Sequence, residues 1–77
     1  MVDQAEQFLM YLGFHQFRVR IHGTMARIEV PAEDILKIAD NETRTKITEK
    51  FRTLGFSYVT LDLQGFRSGS MNEALGK

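Results

Sequence analysis

The sequence predicts an α+β fold, a small two-layer sandwich in the order helix, strand, strand, helix, helix, strand. Three observations carry this expectation. Apolar residues recur at helical spacing in some stretches, alternate in others, and give every alternating run a single apolar face. A sheet that is apolar on one side needs helices on that side and leaves its other side to solvent. The expected sheet is three-stranded and largely antiparallel, with its strand order unspecified.

The first helix rests on Ala5, Phe8, Leu9 and Leu12 at i, i+3, i+4 and i+7, and Gly13 follows as its stop. From Phe14 to His22 the period changes to two, with Phe17, Val19 and Ile21 inward and Gln16, Arg18, Arg20 and His22 outward. Met25 to Val30 alternates again, with Ala26, Ile28 and Val30 inward. The intervening His22-Gly23-Thr24 makes the two runs a hairpin. Pro31 opens a short helix whose apolar part is Ile35, Leu36 and Ile38. Asp40 caps the next helix, Thr43, Ile47, Phe51 and Leu54 form its stripe, and Gly55 ends it. Ser57 to Leu63 is the third strand, with Val59, Leu61 and Leu63 inward. Residues 1–63 thus form the body. Residues 64–77 form a tail containing glycine and serine, where Ser70 and Glu73 at capping-box spacing admit a short helix over 71–75. Leu12-Gly13-Phe14 recurs as Leu54-Gly55-Phe56, which reads as reuse of one helix stop rather than as duplication.

At 77 residues the chain holds one domain. It has no cysteine, which excludes a disulfide scaffold, a thiolate metal site and a cysteine nucleophile, and fits a reducing, cytoplasmic setting. Ten basic and ten acidic residues cancel, which counts against nucleic-acid binding driven by charge alone. No apolar run reaches the ~20 residues that span a bilayer. His15 and His22 have no partner at metal-ligand spacing, so no metal site is expected.

Charge chemistry concentrates in two places. The outer sheet face carries Arg18, Arg20, His22, Arg27, Glu29, Tyr58, Thr60 and Asp62. Arg18 and Arg20 share that face about 7 Å apart, close enough for two guanidinium forks to converge on one phosphate or carboxylate. Alternatively, Glu29 and Asp62 pair with the arginines and neutralise the face. The tail Gly65-Phe66-Arg67-Ser68-Gly69-Ser70 combines backbone donors, hydroxyls and a guanidinium, the ingredients of an anion site or of a flexible terminus.

Two stretches resemble the C-terminal region of the LarE family. One runs from Leu12-Gly13-Phe14 through Arg18-Val19-Arg20-Ile21-His22-Gly23 to Ala26-Arg27-Ile28-Glu29-Val30-Pro31. The other runs from Leu54-Gly55-Phe56 through Leu61-Asp62-Leu63 to Gly65-Phe66-Arg67-Ser68-Gly69-Ser70-Met71-Asn72-Glu73. LarE proteins are ATP-dependent sacrificial sulfur transferases of the PP-loop superfamily. The resemblance implies activation of a pyridinium mononucleotide carboxylate with ATP, then sulfur insertion, on the route to the nickel-pincer cofactor. It implies that Arg18, Arg20 and Arg67 hold the substrate phosphate, with Ser68 and Ser70 in support and no catalytic residue here. The chain lacks the family's SGGxDS loop, it has no cysteine for either of the sulfur sources the resemblance implies, a sacrificial protein cysteine or an iron–sulfur cluster, and Phe66 stands where the family has tyrosine. ATP and Mg are therefore expected on an N-terminal PP-loop domain of a longer parent, with no cofactor on this chain.

The expected partners are the mononucleotide, that domain, and further copies in a homo-oligomer, with neither membrane nor nucleic acid. The competing readings are a freestanding anion- or nucleic-acid-binding module and a pure oligomerisation domain.

Overall fold

A computed structural model of the chain describes residues 2–65. The elements follow the expected order: α1 (Val2–Tyr11), β1 (Arg18–His22), β2 (Met25–Glu29), α2 (Ala32–Ala39), α3 (Asn41–Thr53) and β3 (Tyr58–Leu61). The expected helix over 71–75 lies outside the described residues.

Both longer helices stop in the same way. In α1, Gly13 N–H donates to Met10 O (3.0 Å) and Phe14 N–H to Leu9 O (3.1 Å). In α3, Gly55 N–H donates to Arg52 O (3.0 Å) and Phe56 N–H to Phe51 O (3.1 Å). These are two Schellman motifs, each with its glycine at positive φ (105° and 104°). The one ending α3 carries the apolar contact typical of the motif, with the Phe51 and Phe56 rings 5.7 Å apart. The repeated Leu-Gly-Phe is thus one helix stop used twice. It also explains why β1 begins at Arg18 rather than at Phe14. Phe14 spends its N–H on α1 and buries its ring in the core, so pairing starts only after the turn. The cap at α3 is as expected, with Asp40 Oδ2 accepting from Glu42 N (3.2 Å) and Thr43 N (3.4 Å).

The sheet order is β1-β2-β3. A two-residue loop, Gly23-Thr24, joins β1 to β2 in the antiparallel register Arg18↔Glu29, Arg20↔Arg27, His22↔Met25. β3 pairs with β2 in parallel, in the register Met25↔Tyr58, Arg27↔Thr60. The sheet is therefore mixed, with the expected antiparallel hairpin and a parallel pair beside it. Two helices separate β2 from β3, and that length of crossover is what a parallel return requires.

The inner sheet face supplies Val19, Ala26 and Ile28 to the core. Ala5 and Leu9 of α1, Ile38 of α2, and Ile47 and Phe51 of α3 join them, together with Phe14, Val30 and Phe56. Three residues expected inside are not. Ile21 sits near the hairpin tip on an edge strand and is 37% exposed. Leu36 is 85% exposed because Ile35 and Ile38 already define the inward stripe of α2. Leu63 is 80% exposed because β3 ends at Leu61 and the chain turns away.

Gly65 closes the described chain at a tight approach. A Cβ there would lie 2.8 Å from Val30 O and 3.4 Å from Ala32 N, and its φ is +84°. Gly13 needs positive φ but faces open space. Replacing Gly13 by alanine should therefore cost only the backbone strain, about 1 kcal/mol. Gly65→Ala adds a clash with backbone and should cost ~2–3 kcal/mol, read as a larger drop in the urea midpoint. Phe51→Ala, which empties a fully buried site, should cost ~3–5 kcal/mol in the same measurement.

Candidate anion-binding face

The hairpin register decides what stands beside what on the outer face. Arg18 lies across from Glu29, Arg20 from Arg27, and His22 from Met25, while β3 adds Thr60 beside Arg27 and Tyr58 beside Met25. Arg20 and Arg27 are thus a directly opposed pair of like charges, with Cβ atoms about 5 Å apart, an arrangement that repels unless an anion bridges it. Glu29 is that anion. Its Oε2 accepts from Arg20 Nε at 3.1 Å and from Arg27 Nη2 at 3.2 Å. Glu29 is 8% exposed, which makes it the buried charged residue among the described ones. A carboxylate withdrawn from water to that degree is tolerated only with charged partners at this distance.

The two guanidiniums remain more open, their side chains 45% and 37% exposed. Arg27 Nε is shielded from solvent and has no hydrogen-bond partner among the described residues. Thr60 directs its hydroxyl to Ala26 O (3.2 Å), and Asp62 Oδ1 accepts from Gln64 N–H (2.9 Å). Among the described residues no group of three His, Cys, Asp or Glu side chains could hold a metal ion. No helix among them is long and apolar enough to cross a membrane. On the helix side of the sheet, a cleft of about 190 Å³ is lined largely by Ile28, Ile38, Ile47, Val59 and Leu61. Arg44, Thr48 and Thr60 also line it, so its polar groups are few against an apolar wall.

Of the expected site residues, the structure puts Arg18 and Arg20 together on the outer face. Arg67, Ser68 and Ser70 lie outside the described residues. Of the two sequence alternatives, the structure shows the pairing one for Glu29, which engages Arg20 and also Arg27. Arg27 was not among the expected anion ligands. The signal that finds it is the loop length, since a two-residue turn after His22 forces residue 20 opposite residue 27.

No family model matches the chain. It is 42% identical over 99% of its length to an uncharacterized protein of Synechocystis sp., of which it covers 28%. It is 47% identical, again over 99% of its length, to the pyridinium-3,5-bisthiocarboxylic acid mononucleotide synthase of Lactiplantibacillus plantarum, covering 27% of that protein. The chain thus spans little more than a quarter of the curated relatives it matches. The second relative is a LarE protein, so the resemblance read from the sequence holds along the whole chain, at the extent a C-terminal LarE domain would have.

Glu29 and Arg20 should couple in a double-mutant cycle by about 1 kcal/mol at low salt, because one side of the pair is shielded and the other open. The coupling should shrink on raising NaCl from about 0.05 to 1 M, since the arginine side is screened. Urea unfolding of the two single variants and the double variant reads it.

Proposed function

We propose that this chain is the substrate-phosphate-binding and assembly portion of an ATP-dependent sulfur transferase that makes the thiolated pyridinium mononucleotide precursor of the nickel-pincer cofactor. The observation that carries the reading is the outer face itself. It brings arginines from two strands onto one exposed surface, in a chain 47% identical to a segment of a mononucleotide synthase. A mononucleotide carries a phosphate monoester, and guanidinium forks are suited to that geometry.

Arg18 and Arg20 hold two sides of the phosphate. Arg67, with Ser68 and Ser70, is proposed to approach from the tail. The tail leaves Gly65 beside Val30, at the end of the sheet where Arg18 faces Glu29.

Mg-ATP does not suit the described residues. They offer neither a carboxylate cluster for the ion nor a glycine-rich phosphate loop. Adenylylation and sulfur donation are therefore assigned to the rest of a longer protein, and this chain's part is to bind and orient. The open edges of β1 and β3 are the proposed route to assembly with further copies in the cytoplasm.

Arg18→Ala should weaken binding of a pyridine mononucleotide to the chain about tenfold, measured by NMR titration, with an unchanged circular dichroism spectrum. Unchanged affinity would overturn the phosphate cradle. ATP turnover by the 77-residue chain would overturn the division of labour.

A further inference from the structure

Among the described residues the Arg20–Arg27 pair has one side-chain acceptor, Glu29 Oε2. Two guanidiniums share one oxygen of one carboxylate, at 3.1 and 3.2 Å. Each guanidinium can donate five hydrogen bonds. A third donor of the cluster, Arg27 Nε–H, is out of contact with water and has no acceptor among the described residues. A desolvated donor of that kind is a standing cost of the arrangement. Among the described residues the charge is also unbalanced, because two guanidinium cations share one carboxylate. Glu29 therefore holds the pair in place without satisfying it. A ligand with three or four oxygens and two negative charges would serve both forks and accept from the unused Nε as well.

We propose that Arg27 is a ligand of the same phosphate as Arg20, and that Glu29 is a built-in competitor which holds the two guanidiniums together and aligned until a phosphate displaces it. This rests on the reading of the outer face as an anion site. The ligand class is a dianionic phosphate monoester or inorganic phosphate. When it binds, Arg27 leaves Glu29 and swings its Nε–H toward the anion. Glu29 then turns from bridging ligand to near neighbour, and its repulsion sets an upper limit on the affinity. The competitor makes the face selective, since a monoanion gains too little from two guanidiniums to displace a carboxylate already in place.

The test uses this chain and inorganic phosphate, with sulfate and chloride as comparison anions. Glu29→Gln keeps the side-chain shape and removes the competing charge. It should tighten phosphate binding about five- to tenfold, whereas Arg27→Gln should weaken it at least about fivefold. Arg27→Lys should fall between wild type and Arg27→Gln, because charge returns without the fork. In a titration followed through arginine side-chain resonances, the Arg27 Nε–H signal should move with phosphate in step with that of Arg20.

Suppose Arg18→Ala weakens phosphate binding while Glu29→Gln and Arg27→Gln leave it unchanged. The cluster is then a structural ion pair, and this inference fails while the cradle stands. If none of the variants alters binding, the cradle fails and takes the inference with it. Should Glu29→Gln lose its folded spectrum, the Arg27 variants and the Nε–H signal decide. A static Arg27 resonance under saturating phosphate overturns the proposal.

Discussion

The two-residue turn at Gly23-Thr24 is the constraint on which the rest of the structure depends. Side chains on a strand alternate, so a shift of one residue in the β1–β2 pairing would exchange the faces of one strand relative to the other. With His22 set against Met25, Val19 and Ile28 meet on the inner face and Arg20 and Arg27 on the outer. The core and the charged surface are therefore two consequences of one register. β2 transmits it further, because β3 takes its own alignment from β2 and brings Val59 and Leu61 to the inner side.

Burial and charge then settle into a division of work between the layers. The helix side holds nearly everything apolar, closed at its corners by Phe14 and Phe56 behind their glycine stops. The strand side holds a carboxylate gripped by two arginines from neighbouring strands. Among the described residues this charge cluster lies on the open strand side, with the two guanidiniums partly exposed. Affinity on such a surface is set by how charges are spaced.

Much of this was legible in the sequence for physical reasons that can be named. Asp40, Gly13 and Gly55 act within a few residues of themselves, so their roles could be read directly. The alternation of Ala26, Ile28 and Val30 fixed the buried strand because period two has no other outlet. What could not be read depends on distance along the chain. The central place of β2 and the parallel return of β3 are settled by how α2 and α3 pack, and alternation within β3 carries no sign of its direction. Leu63 shows the same limit, since its spacing continues the strand pattern while the chain has already turned. On the candidate face, Arg18 and Arg20 were visible as neighbours on one strand. Arg27 required the pairing as well, and the depth of Glu29 required the arginines that surround it.

The mixed sheet has a consequence for how the chain orders itself. The hairpin brings together His22 and Met25, three positions apart, whereas the parallel pair joins Met25 to Tyr58 across 33. With loop-closure entropy growing as three-halves of RT times the logarithm of loop length, the second pairing is opposed by about 2 kcal/mol more than the first. Four residues of strand do not offset that by hydrogen bonding alone. β3 is therefore held by what lies behind it, Phe56 anchored to the end of α3 and Val59 and Leu61 packed beneath the helices. In kinetic terms the charged hairpin is a local structure that can form early, and the parallel edge is the long-range closure that waits for the helical layer.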